Sequence, residues 1–337
     1  MTTTTIKTSL ALLAAALVLA VYAGPSAAQE APKSFEDVVR SVVGVRAHVP
    51  PDARTARSLG PERQGNGVVI DGDGLVLTIG YVILEADHVE VITPDGEVVA
   101  ARVVGYDHST GFGLLRAARP LGLSPARFGD SSSLKPGDSA LAVSLAGNPP
   151  ATMTRVASRR AFAGYWEYLL EDAIFTLPPH PNFGGAGLFG GDGRLLGIGS
   201  LIVGDALEDV FPSPGNMFVP IDALKPILDD LISMGRPSRP SHPWLGIYAG
   251  EVQGRLLVRR TAAGGPADRA GIQAGDIIFG VGGKSVRGLA DFFRKVWGKG
   301  DAGTVVSIDV LAQGSSDMTI NNIEVRSMDR YDWLKLK

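Results

Sequence analysis

Side chains able to move a proton near neutral pH are few in this chain, and their neighbours limit the chemistry open to it. The five histidines are His48, His88, His108, His180 and His242, and cysteine is absent. Without cysteine there is no disulfide, no thiolate nucleophile and no Cys-ligated zinc. His108 follows Asp107 and precedes Ser109-Thr110, while His180 lies beside the glycine-rich stretch Asn182-Phe183-Gly184-Gly185. An imidazole that takes a proton from a nearby hydroxyl is the minimal kit for nucleophilic acyl transfer. Histidine and serine close together in sequence are common, so neither pair defines a site by itself. His88 falls in an alternating strand pattern and His242 among prolines, where solvated rings are expected. No His/Asp/Glu spacing matches a zinc or calcium pattern. Asp71-Gly72-Asp73-Gly74 lacks the later bidentate glutamate of a calcium loop and reads as a hairpin turn. Residues 184–187 and 280–283 are glycine-rich but have neither the Gly-Lys-Ser/Thr ending nor the strand-to-helix setting of a phosphate loop. The expectation is no metal and no cofactor.

The elements that must position any site read as mainly β. With 337 residues, 45% hydrophobic and 20% charged, the chain can form two packed domains and is too balanced for disorder. A formal net charge of -3 supplies no basic field, so nucleic acid is not an expected partner. Lys7 precedes an apolar run over residues 10–21, and Ser26-Ala27-Ala28 offers small residues for cleavage before Gln29. Residues 1–28 therefore read as a secretory signal, its apolar part short of the ~20 residues that span a bilayer. The mature chain is expected in the periplasm or otherwise exported, with no stable membrane span.

A short helix is expected over residues 34–43, capped by Ser34. Short apolar runs bounded by turn residues follow, at 67–70, 75–78, 88–93, 97–104, 139–144, 172–176 and 195–202. Many short strands with Asp-Gly turns argue for an antiparallel barrel or sandwich rather than βα units. A helix over 221–234 closes this part, and the proline-rich stretch 236–243 reads as an extended linker. A second domain is expected over 244–327, with strands near 245–248, 255–259, 276–280, 304–311 and 318–325 and helices near 266–270 and 289–297. Residues 328–337 read as a loose tail. Between strands, residues 162–168 cluster aromatics that serve core packing or a subunit contact.

Several of these fragments, taken in order, resemble the HtrA/Deg family of trypsin-fold envelope proteases. They are Gly65-Asn66-Gly67-Val68-Val69-Ile70, Asp71-Gly72-Asp73-Gly74-Leu75, Gly113-Leu114-Leu115, Asn182-Phe183-Gly184-Gly185 and Gly193-Arg194-Leu195-Leu196-Gly197-Ile198. Further on, Gly264-Gly265-Pro266-Ala267, Gly275-Asp276-Ile277-Ile278 and Val281-Gly282-Gly283-Lys284 look like that family's PDZ domain. The resemblance implies a trypsin-like double β-barrel over 29–235 followed by a PDZ domain (α+β). It also places the catalytic positions. Tyr81 stands in the slot of the general base, Gly111 in that of the orienting aspartate and Phe183 in that of the nucleophile. A phenol is a poor base at neutral pH, glycine cannot orient an imidazole, and a benzyl group cannot attack a carbonyl. Pro181 falls where an oxyanion-binding N–H is expected and has none to give.

What remains usable is the PDZ-like segment. Such domains add a peptide as an extra strand, hold its terminal carboxylate on loop amides and lodge its last side chain in an apolar pocket. By resemblance, Trp244, Leu245, Gly246 and Ile247 form the carboxylate loop and following strand. Leu289, Phe292 or Phe293, and Val296 share one helix face and either complete the groove or pack the core. Phe183 is expected to fill the former substrate pocket or line an apolar groove. The expected function is an exported pseudoprotease that binds protein C-termini or extended peptides in envelope protein quality control. The resemblance implies trimers, or association with an active relative. The alternative is an active serine endopeptidase with a relocated site.

Overall fold

Alternating apolar residues between tight turns build two closed barrels. In the computed structural model, which describes residues 34–145, 147, 149–314 and 319–334, the expected signal at 1–28 lies outside the described residues. The first barrel comprises β1 (Val42–His48), β2 (Glu62–Val69), β3 (Leu75–Ile79), β4 (His88–Ile92), β5 (Val98–Tyr106) and β6 (Phe112–Ala117), closed where β1 pairs with both β2 and β4. The second comprises β7 (Ser139–Val143), β8 (Ala151–Gly164), β9 (Tyr168–Leu177), β10 (Gly187–Phe189), β11 (Leu195–Val203) and β12 (Gly215–Pro220), closed by β7 against β10. The Asp71 carboxylate accepts the amides of Asp73 (3.0 Å) and Leu75 (2.7 Å), so the Asp-Gly repeat forms the turn into β3.

A third sheet follows, ordered β13 (Ile247–Val252), β14 (Arg255–Thr261), β15 (Ile277–Val281), β17 (Val305–Leu311), β18 (Ile320–Arg326), with β16 (Lys284–Ser285) paired to β15. All these elements lie within one unit, Lys33–Lys337. The helices are short: α1 (Phe35–Arg40), α2 (Ala56–Leu59), α3 (Leu228–Met234), α4 (Pro266–Arg269), α5 (Leu289–Trp297) and α6 (Arg330–Leu334). Ser34 and Asp37 cap α1 reciprocally, but the helix stops at Arg40 and not at 43, because buried Val42 and Val43 already belong to β1. The helix expected over 221–234 is split into a 3-10 turn, Ile221–Ala223, and α3. Pro226 between them has no N–H to continue the ladder.

One expectation is corrected here. Residues 328–337 are not a loose tail as far as they are described: α6 docks, with the Tyr331 hydroxyl donating to the Tyr106 carbonyl (2.7 Å) and Trp333 lying between Trp244 (5.0 Å) and the Arg54 guanidinium (3.6 Å). The linker is extended yet tethered, since Arg239 pairs with buried Asp107 (3.1 Å) and His242, exposed as expected, stacks one face on Trp297 (4.4 Å). Aromatic anchors at the chain's end carry this docking. Tyr331→Ala is therefore expected to lower stability by about 3 kcal/mol, read as a fall in the urea midpoint; an unchanged midpoint would mean that α6 does not dock.

Candidate functional site

The cleft between the barrels is assembled from the loop after β3, the loop before β6 and the loop before β10. Arg63, itself buried, donates to the carbonyls of Tyr81 (2.9 Å) and Leu84 (2.9 Å) and fixes the first loop. The Gly80 amide donates to the Gly111 carbonyl (2.7 Å), which places Tyr81 beside the second loop. A Cβ on Gly184 would lie 2.7 Å from the Tyr81 hydroxyl, which places the same residue against the third loop. The resemblance-derived positions 81, 111 and 183–184 thus converge. The Tyr81 hydroxyl is spent internally, donating to the Ser200 carbonyl at 2.9 Å, and burial pushes its pKa well above the ordinary 10.0.

At the second position Gly111 has φ +81°, and a Cβ there would meet the Tyr168 ring at 3.6 Å. Tyr168 donates its hydroxyl to the Thr110 carbonyl (2.8 Å), so a ring from β9 borders the Gly111 position at ordinary van der Waals distance. Phe183 is half-buried and belongs to none of the three apolar clusters among the described residues. Pro181 is exposed. The Gly184 carbonyl is tied to the Asn66 amide (2.8 Å) and side chain (3.1 Å), which holds this loop to β2.

The histidine pairs separate clearly. His108 is buried between Tyr106 (4.6 Å) and Tyr331 (4.3 Å), and neither ring nitrogen has a hydrogen-bond partner. Burial drives its pKa far below 6.5, and it forms no dyad with Ser109 or Thr110. His180 does meet a serine: Nε2 lies 2.8 Å from Ser144 Oγ and Nδ1 lies 2.9 Å from Thr152 Oγ1. The ring is 0% exposed, Ser144 is also buried, and the partner of Nδ1 is a hydroxyl where a triad has a carboxylate.

The predicted peptide loop presents a different picture. Gly246 has φ +74°, and a Cβ on it would come within 3.2 Å of the Trp244 ring, so this turn requires glycine. The amides on either side are already engaged by the second barrel. Leu245 N–H donates to Glu167 Oε2 (2.9 Å) and Ile247 N–H to Glu167 Oε1 (2.7 Å), with the Gly246 amide also directed at the carboxylate. Glu167 belongs to the three-residue loop Tyr165-Trp166-Glu167 between β8 and β9, where Gly164 pairs with Tyr168. Just beyond it, Leu169 joins the apolar cluster that contains Leu245, Ile247, Leu289, Phe292, Phe293 and Val296. Ala161 and Ala163 of β8 pack against that cluster. The residues expected to line a groove are therefore buried, and Trp244 turns its ring to Trp333. A bidentate pair between Arg294 on α5 and Glu171 on β9 (2.9 and 2.6 Å) adds an exposed tie.

Glu167 is 7% exposed and has φ 57°, the left-handed region. That conformation costs a non-glycine residue roughly 1–2 kcal/mol, whereas each hydrogen bond to a charged acceptor contributes roughly 1.5–3 kcal/mol. The amide bonds outweigh the strain. Burial is the largest influence on the acid and pushes its pKa from 4.5 up to about 7, opposed by the loop amides and by the positive charge of Arg330. Asp107, His108, Arg239, His242, Asp329 and Tyr331 surround the same junction. The docked glutamate thus binds a proton that a released, hydrated one gives up. Docking is favoured by protonation below pH 4.5, and this contribution is lost as pH rises through about 7.

Comparison with known proteins agrees with this architecture. The trypsin-like peptidase domain family matches residues 65–198 and the PDZ domain family residues 257–311. The fold and the matches define a trypsin-like domain followed by a PDZ domain. In that arrangement the chain is similar to the HtrA and DegP-like proteins. It is 26% identical to the serine protease Do-like HtrA of Bacillus subtilis over 74% of this chain and 61% of that protein. It is 29% identical to a probable periplasmic serine protease do/HhoA-like of Haemophilus influenzae, over 75% of this chain and 56% of that one. The chain thus spans little more than half the length of these relatives. Among solved structures, the HtrA-type protease AlgW with tripeptide superposes with a TM-score of 0.52 at 21% identity, covering 88% of this chain and 97% of that one.

Sequence reasoning missed Glu167, Tyr168 and Leu169 as site residues. The available signal was a lone acid inside the aromatic run Phe162-Ala163-Gly164-Tyr165-Trp166-Glu167-Tyr168. Glu167 is expected to titrate near pH 7 when its side-chain carbonyl is followed by NMR; a midpoint near 4.5 would place that carboxylate in water.

Proposed function

We propose that the chain is an exported, HtrA-like pseudoprotease that binds protein C-termini or extended peptides through its PDZ domain, serving as scaffold, adaptor or regulator in envelope protein quality control. The observation that carries this reading is the use of Tyr81. The residue in the base position gives its hydroxyl to the Ser200 carbonyl and, with its raised pKa, holds its proton through the neutral range. Gly111, Phe183 and Pro181 add no carboxylate, no nucleophile and no N–H. Peptide binding is supported by the PDZ match, by the left-handed Gly246 loop with its convergent amides, and by the peptide bound in the AlgW structure. Export is supported by the periplasmic relatives and by the signal-like residues 1–28. Among the described residues no helix is long and apolar enough to cross a membrane. Trimers, or assembly with an active relative, fit the same reading.

One observation favours the endopeptidase alternative, the 2.8 Å approach of His180 to Ser144. Burial lowers the His180 pKa, which weakens it as a base, and both groups are closed off from substrate. Purified protein is therefore expected to resist labelling by a fluorophosphonate and to leave unfolded casein uncut. Labelling abolished by Ser144→Ala would establish the alternative. The combined reversal Tyr81→His, Gly111→Asp, Phe183→Ser is expected to restore no casein turnover. Pro181 would still lack a donor whose removal typically costs roughly 10²–10³ in kcat, and the Tyr168 ring would still border position 111. Turnover by that triple variant would show that the cleft kept its working frame.

A further inference from the structure

The junction between the second barrel and the PDZ domain holds a residue in the wrong conformation for its type. In a three-residue hairpin loop the last position commonly adopts the left-handed conformation and favours glycine. Here it is Glu167, whose φ is 57°. A strained residue persists when its surroundings over-determine it. What over-determines Glu167 is the peptide loop: both carboxylate oxygens are met by amides, of Leu245 at 2.9 Å and Ile247 at 2.7 Å. Two residues on, Leu169 is 5% exposed and shares its cluster with the apolar side chains on which a ligand's last residue would rest. A carboxylate on the amide nest with an aliphatic side chain in the adjoining pocket is the chemistry of a peptide C-terminus.

We propose that the β8–β9 hairpin is an internal ligand of the PDZ domain: Glu167 takes the place of a terminal carboxylate and Leu169 that of the terminal side chain, so an incoming C-terminus binds only by displacing the hairpin. This rests on the reading that the groove accepts peptides. Release of the hairpin also reaches the barrel cleft. Tyr168, between the two docking residues, holds the Thr110 carbonyl (2.8 Å) and lies 3.6 Å from a Cβ position on Gly111. Peptide capture would therefore pull on the loop that carries Gly111. The exposed Arg294–Glu171 pair is a secondary tie, weakened by solvent.

The test uses the full chain and a fluorescein-labelled decapeptide ending in leucine with a free carboxyl, alongside its amidated twin. Glu167→Gly removes the carboxylate while suiting the left-handed turn, so the hairpin keeps its backbone; Leu169→Ala is the second variant. Apparent affinity falls with the fraction of open groove. Binding of the free-carboxyl peptide is therefore expected to tighten at least about tenfold in either variant, with the amidated peptide binding neither. Hydrogen exchange at the Leu245 and Ile247 amides reads the docking without any ligand and is expected to be slow in the wild type and fast in Glu167→Gly. Equal affinity in wild type and variants would overturn the gate while leaving peptide binding intact. Fast exchange followed by no binding in any variant would overturn the peptide reading and the gate with it. Equally fast exchange in the wild type would show that the hairpin is not docked at all.

Discussion

A carboxylate removed from water must find donors, and the way Glu167 finds them organises the junction of the second barrel and the PDZ domain. Its partners are backbone amides of a loop turned by Gly246, a loop whose geometry suits an anion whatever its source. Because the donors belong to one domain and the acid to another, satisfying the acid fixes the hairpin against α5 and the edge of the third sheet. The apolar contacts follow from that placement. Leu169, Ala161 and Ala163 join the cluster that also holds Leu289, Phe292 and Val296. Fully burying a side chain of leucine size contributes roughly 1.5–3 kcal/mol, so the directed hydrogen bonds of Glu167 set the register and the hydrophobic contacts supply much of the stability.

The same hairpin joins this junction to the cleft between the barrels. Tyr168 borders the Gly111 position, and its hydroxyl ties down Thr110. Asp107, three residues before Thr110, accepts the amides of Ser109 and Thr110 and also receives Arg239 from the linker. Loop, linker and hairpin are therefore one polar network beneath the cleft. Tyr168 thereby joins the hairpin to the loop that carries Gly111, and the Arg239–Asp107 ion pair joins that loop to the linker.

Much of the fold was legible because it depends on local pattern. Asp71-Gly72-Asp73-Gly74 marked its turn, the strands from β3 to β5 fell close to their apolar runs, and Leu289, Phe292, Phe293 and Val296 fell on one buried helix face. Boundaries moved where tertiary demands outweighed propensity. Val42 and Val43 left α1 for the barrel wall, and β8 ran to Gly164 unannounced because its residues alternate poorly across two bulges. The loops that carry residues 81, 111 and 183, singled out from neighbouring glycines and strands, meet in the fold. The occupation of the PDZ loop could not be read, since it depends on a contact between residues 167 and 245 whose pairing no local pattern encodes. The docked tail was missed for a similar reason: Tyr331 and Trp333 find partners far away in the sequence, on Tyr106, Arg54, Arg236 and Trp244.

The claim that one buried acid locks the two domains together has a direct calorimetric signature. If Glu167 and Leu169 couple them, the full chain unfolds in a single heat-capacity peak, and Glu167→Gly separates it into two, one for the barrels and one for the PDZ domain. Two separate peaks in the wild-type chain, or one unchanged peak in the variant, would contradict it.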